Sequence, residues 1–224
     1  MRRMKDMTKQ KECFSGQTVD IRILDSDMKT PGSPLRWFLP VLQKGFEVRG
    51  KNGSSIREFL CRDIGGDPDY LDQRIQTIFL NGKPVDDVDS TPLYDGVALA
   101  LSSAMPGVAG AIFRKGGKYA PMRAAFFSRK DDKDSCDEYG YVTLKLFNMV
   151  AEELGGFFLE KGIFVKGSDI FDALQGKTEE SKSKGMEIRL NGEKITANQL
   201  IEDGKRRSRF FLKVLAGPRE ALTP

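Results

Sequence analysis

Histidine is absent from the 224 residues, and that absence bounds the chemistry open to the chain. Imidazole is the commonest general base near neutral pH and the commonest metal ligand. Without it, Ser-His and Cys-His nucleophile pairs and imidazole metal sites are excluded. Carboxylates, cations and thiols remain. Cys13, Cys61 and Cys136 are odd in number and far apart, without the paired spacing of a zinc or redox site. Cys61 closes an apolar helical face and reads as a small buried hydrophobe. Asp86-Asp87-Val88-Asp89 and Asp131-Asp132-Lys133-Asp134 offer oxygen ligands, yet neither has the mid-loop glycine and distal glutamate of an EF-hand loop. Both read as surface charge. Gly65-Gly66 and Gly116-Gly117 lack the strand, glycine and helix setting of a phosphate-binding loop. Catalysis, a metal and a cofactor are therefore not expected.

The cations are more suggestive. Arg114, Lys115, Lys118 and Arg123, continued by Arg129 and Lys130, interleave with Phe113, Tyr119, Phe126 and Phe127. Such a pattern suits a nucleic-acid backbone whose bases stack on the rings, or else an anion or protein site. The plainer reading packs the rings on a sheet and leaves the cations in water. Lys205-Arg206-Arg207-Ser208-Arg209 is a second basic cluster, read as a solvated turn. A net charge of +4 permits acidic partners but is not the dense basic coating of a nucleic-acid binder. Trp37 and Phe38, with Leu39, Val41 and Leu42, form an apolar patch. Core packing explains it first, and a partner-binding apolar edge second.

The elements that must position these residues occur twice. Lys44-Gly45-Phe46-Glu47-Val48-Arg49-Gly50 returns as Lys161-Gly162-Ile163-Phe164-Val165-Lys166-Gly167, and Leu80-Asn81-Gly82 as Leu190-Asn191-Gly192. Upstream, Val19-Asp20-Ile21-Arg22-Ile23 returns as Val142-Thr143-Leu144-Lys145-Leu146. Three blocks recurring in one order indicate a duplicated unit. Period-2 alternation predicts strands over 18–24, 46–50, 75–80, 97–101 and, in the second copy, 141–147, 163–165, 186–190 and 209–215. Ser54-Ser55 caps a helix carrying Ile56, Phe59 and Leu60, and Asp169–Leu174 forms its counterpart. Asn81-Gly82 and Asn191-Gly192 are hairpin turns, and Asp203-Gly204 is matched to the turn at Asp95-Gly96. Phe157-Phe158-Leu159 is matched to the Trp37 patch, and Gly116-Gly117 predicts a hairpin across 108–127. The expected organisation is an arm at 1–15, a first domain at 16–127 including that hairpin, a charged linker at 128–139, and a second domain at 140–224.

The element order and the Leu-Asn-Gly turn resemble the β-grasp, or ubiquitin-like, superfamily. The closest likeness is to the MoaD/ThiS sulfur-carrier group, on Leu80-Asn81-Gly82, Pro84-Val85, Asp95-Gly96, Val97–Leu101 and Met105-Pro106-Gly107-Val108-Ala109-Gly110. The resemblance implies an α+β fold class: two tandem β-grasp domains, each a small mixed sheet packed against one helix. Carriers of that group act through a free terminal diglycine, which glycine suits because it leaves entry to a partner's active site unobstructed. Here Gly107–Gly110 runs on into Ala111, and Gly217 into Pro218. The expectation is thus a non-enzymatic adaptor that binds a protein partner, an E1-like or molybdopterin- or thiamin-pathway enzyme among the candidates. A sulfur carrier requiring processing is the first alternative and a nucleic-acid module the second. No apolar run is long enough to span a bilayer, and the basic start leads into polar sequence, so the expected compartment is the cytoplasm.

Overall fold

The computed structural model describes residues 16–23, 33–105, 107–118, 137–177, 186–206 and 209–216. They form an α+β protein with ten strands in mixed pairing. The chain divides into two compact units, one built on Glu47–Val150 and the other on Met7–Phe46 with Ala151–Pro224.

In the first unit the strands lie in the order β4-β3-β5-β6-β2. They are β2 (Phe46–Lys51), β3 (Thr77–Leu80), β4 (Lys83–Pro84), β5 (Ala98–Ser102) and β6 (Tyr139–Phe147). Asn81 and Gly82, at φ 49° and 77°, make the left-handed two-residue turn that lets β3 and β4 pair without splaying. β3 pairs antiparallel with β5, and β5 parallel with β6 from Ala98–Thr143 to Ser102–Phe147. Along β6, Val142, Leu144 and Leu146 are buried while Tyr141, Thr143 and Lys145 are half-exposed, the alternation of a strand with one covered face. A wide π-helical segment, Glu58–Asp63, buries Phe59 and Leu60. It starts at a reciprocal cap: Ser55 N–H donates to Glu58 Oε2 at 3.0 Å, and Glu58 N–H to Ser55 Oγ at 3.2 Å. The segment lies so close to β2 that a Cβ at Gly50 would stand 2.4 Å from the Phe59 ring. Among the described residues the unit also has helices α2 (Pro68–Gln73) and α3 (Gly107–Phe113); α1 (Leu39–Lys44) belongs to the other.

The second unit has the order β7-β10-β1-β8-β9. Its strands are β1 (Gln17–Ile23), β7 (Ile163–Val165), β8 (Glu187–Leu190), β9 (Glu193–Ile195) and β10 (Phe210–Ala216). β1 runs parallel to β10, Gln17 opposite Phe210 through Ile23 opposite Ala216, and antiparallel to β8. Val19, Ile21 and Ile23 are at most 1% exposed, so β1 is a central core strand. Its helices are a 3₁₀ turn at Pro34–Phe38, α1, α4 (Met149–Lys161, whose first two residues fall in the other unit), α5 (Gly167–Leu174) and α6 (Ala197–Arg206). α5 packs on α6 and α1. Lys44 of α1 reaches Asp169 at 3.6 Å and Asp172 at 2.5 Å on α5.

Several expectations change. The first predicted strand, β1, sits between β10 and β8, and β6 lies beside β5. Residues 107–113 are helical, so a hairpin does not begin at 108; residues 119–127 lie outside the described set. Asp203-Gly204 is inside α6, whose start is set by Thr196: its N–H donates to Gln199 Oε1 at 2.8 Å while its Oγ1 accepts from Gln199 N at 3.2 Å. Lys205 and Arg206 are therefore helical, not part of a turn. One helix per sheet is also too few for the second unit. Among the described residues no helix is long and apolar enough to cross a membrane.

Candidate partner-binding surface

The stretch after β5 gathers most of the expected contact residues. Past Ser102 the chain turns into α3, seven residues long, which lies on β3. Phe113 anchors its end against Phe79, ring centroids 5.3 Å apart and tilted by 56°. The following turn is pinned by three hydrogen bonds. Lys115 N–H donates to Gln76 O at 2.6 Å, Lys115 Nζ donates to Leu71 O at 2.9 Å, and Gly116 N–H donates to Asp86 Oδ1 at 2.8 Å. Leu71 lies in the last turn of α2, where orphan carbonyls favour a cation. Lys115 is therefore turned inward to hold the fold. Burial pushes its amine below the ordinary value; Asp72 and Asp89 oppose that shift and Arg57 adds to it.

What this fixed turn leaves outward is apolar and basic. Val108 is 75% exposed and Ile112, four residues on and so on the same helical face, is 36% exposed. Arg114 and Lys118 are exposed beside them. Arg123, the fourth expected cation, lies outside the described residues. Of the expected cation group, the structure brings Arg114, Lys115 and Lys118 into one turn, with only Arg114 and Lys118 facing solvent.

Of the carboxylates expected as surface charge, Asp86, Asp87 and Asp89 have local partners, and 131–134 lie outside the described residues. Arg57 forks onto Asp72, with bonds of 3.1 Å and 2.8 Å, and donates through Nε to Asp89 at 2.5 Å. That fork holds the Asp72 carboxyl below its usual range. Asp87 Oδ1 accepts from the Asp89 and Ser90 amides, each at 3.0 Å, closing its own loop. Among the described residues, no group of three or more Cys, Asp or Glu side chains is placed to hold a metal ion. Cys61 is half-buried, and burial pushes its thiol up, away from the reactive thiolate. Cys13 and Cys136 lie outside the described residues.

The two residues of the second expected surface, Trp37 and Phe38, differ in burial. Phe38 is fully buried at the end of the 3₁₀ turn. Trp37 is half-exposed, and Lys177 Nζ stands 5.9 Å from its ring centroid, the outer limit of a cation–π contact. Burial of Phe38 follows from the 3₁₀ turn, which sends adjacent side chains in different directions. Sequence reasoning passed over Val108 and Ile112. Their i, i+4 spacing was the available signal, masked by glycines at 107, 110, 116 and 117 that favour a turn.

Compared with known proteins, the chain matches no protein-family profile, no curated protein and no solved structure.

Proposed function

We propose that this protein is a non-enzymatic adaptor built of β-grasp-like modules, and that α3 with its basic turn is the surface it presents to an acidic protein partner. The fold half of the reading is supported by the first unit: a small mixed sheet, a parallel pair at its centre, a Leu-Asn-Gly hairpin at one edge and a helical segment against β2. The observation that carries the functional half is Val108, 75% exposed on a helix whose end is pinned at Phe113, Lys115 and Gly116. An ordered apolar side chain in water beside cations is the arrangement of a contact surface with an apolar centre and a charged rim.

The glycine-containing stretch after β5 is helical and lies on β3, which supports the adaptor reading over a carrier with a free slender tail at that point. To test the adaptor reading, a photo-crosslinking residue is placed at Val108 and, as a control, at the exposed Lys51. A discrete protein adduct at 108, missing at 51 and lost with Arg114→Glu and Lys118→Glu, is the expected result. Identical adducts at both positions would overturn it. Salt-dependent retention of a fluorescent oligonucleotide, abolished by the same two charge reversals, would replace the protein partner with nucleic acid.

A further inference from the structure

We infer that the two repeats are each other's binding partners: each holds a slot for one extended strand, and each slot is filled by the first strand of the other repeat. In the second repeat the slot lies between β10 and β8, and β1 fills it over seven residues in register with β10. In the first, β6 lies between β5 and β2, registered with β5 from Ala98–Thr143 to Ser102–Phe147.

Both slots share a recognition device. Asn191 Oδ1 accepts from Thr18 N at 2.9 Å while Asn191 N–H donates to Thr18 O at 2.8 Å. That reciprocal pair reads the backbone at the start of β1. At the entry of β6, Asp95 Oδ1 accepts from Tyr141 N at 2.7 Å, and Gly96 N–H donates to Tyr141 O at 2.8 Å. Gly140 permits that approach, because a Cβ there would stand 2.6 Å from Asp95 Cβ. Past the entry, each slot takes alternate apolar side chains into the core: Val19, Ile21 and Ile23 in one, Val142, Leu144 and Leu146 in the other. The ligand each slot fits is thus an extended segment with alternating apolar residues, hydrogen-bonded along both edges and clamped at its amino end.

A break between the repeats would leave two polypeptides interlocked by two exchanged strands. The test is a full-length chain with a specific protease site inserted after Asp132, cut in native buffer. It requires no ligand, so its outcome is separate from that of the adaptor reading. The pieces are expected to co-elute at about 1 μM and to part only in denaturant, since obligate pairing of core strands outlasts dilution that separates transient contacts. Pieces that part in native buffer, folded or aggregated, overturn the inference. An independent readout uses Asp20→Cys with Lys213→Cys, and separately Ala100→Cys with Lys145→Cys, register partners that draw on both repeats. After cutting and oxidation, either pair is expected to join the two pieces on a denaturing gel, with the cut chain lacking the pair as control. No joined species from either pair overturns the exchange.

Discussion

Set side by side, the two units show one sheet pattern reached with different strands at the centre. In the first, the strand beside the Leu-Asn-Gly hairpin is β5, the last of the same repeat. In the second it is β1, from the far end of the chain. The asparagine of each hairpin performs the same act on these different partners. Asn81 Oδ1 accepts from Ala98 N at 2.8 Å, and Asn191 Oδ1 from Thr18 N at 2.9 Å. The lesson is that the hairpin fixes the geometry of its neighbour without fixing the neighbour's origin.

The sharpest way to break this comparison is to remove packing from one exchanged strand and ask which unit suffers. Leu144 is fully buried in β6, and Leu144→Ala is expected to cost about 2–5 kcal/mol through lost burial and a residual cavity. In hydrogen exchange, protection should fall in 77–102, a first-repeat sequence, more than in 163–165 and 210–216. Ile21→Ala in β1 should do the reverse at a comparable cost. Equal loss in both units after either change would contradict the assignment.

Two close approaches come next. A Cβ at Gly162 would stand 2.3 Å from the Phe211 ring, and φ there is +100°. Gly162→Ala is expected to cost about 2–4 kcal/mol, overpacking and left-handed strain together. Gly50→Ala meets the Phe59 ring without that backbone penalty and should cost about 1–3 kcal/mol. Denaturant titrations of the two variants check the order. Asn81→Ala and Asn191→Ala each lose the side-chain bond to the neighbouring strand, and each should cost about 1–2 kcal/mol. Unequal losses, well outside error, would mean that the two clamps are not equivalent.

The smallest expected effect is electrostatic. The Arg57 fork lowers the Asp72 carboxyl in the folded state, so its contribution is present above the unfolded carboxylate range and fades as pH falls through the folded value. Asp72→Asn should flatten the acid limb of the melting-temperature profile and change little near neutrality. The second unit's link runs the other way. The Asp172 hydrogen bond leads in raising the Lys44 amine, so its contribution is full below the unfolded lysine value and fades as pH rises through the folded one. Both pairs are solvent-accessible, and salt should weaken them.

Much of this comparison was written in the chain. The recurring Asn-Gly pairs have matching backbone, φ 49° and 51° at Asn81 and Asn191, and Gly45 and Gly162 both take positive φ between a helix and a strand. Such positions are legible because they depend on local conformation. The exchange was not legible, because Val19-Asp20-Ile21 and Val142-Thr143-Leu144 carry the same alternation. Period 2 specifies which face is buried, not which strand lies alongside. Asp203-Gly204 misled for a local reason: the Thr196–Gln199 cap starts a helix that carries a glycine in its last turns. Of the surface, the cations were legible in the sequence, but the inward turn of Lys115 and the outward faces of Val108 and Ile112 depend on how α3 docks.

The most direct test is to excise residues 47–150 and, separately, 16–127, and to follow unfolding of each by circular dichroism and near-ultraviolet signal. Residues 47–150, which hold β3 through β6 and β2 from Glu47 on, are expected to fold alone with one cooperative transition, while 16–127, lacking β6, should not. Cooperative folding of 16–127 with an unfolded 47–150 would contradict the exchange of strands between repeats.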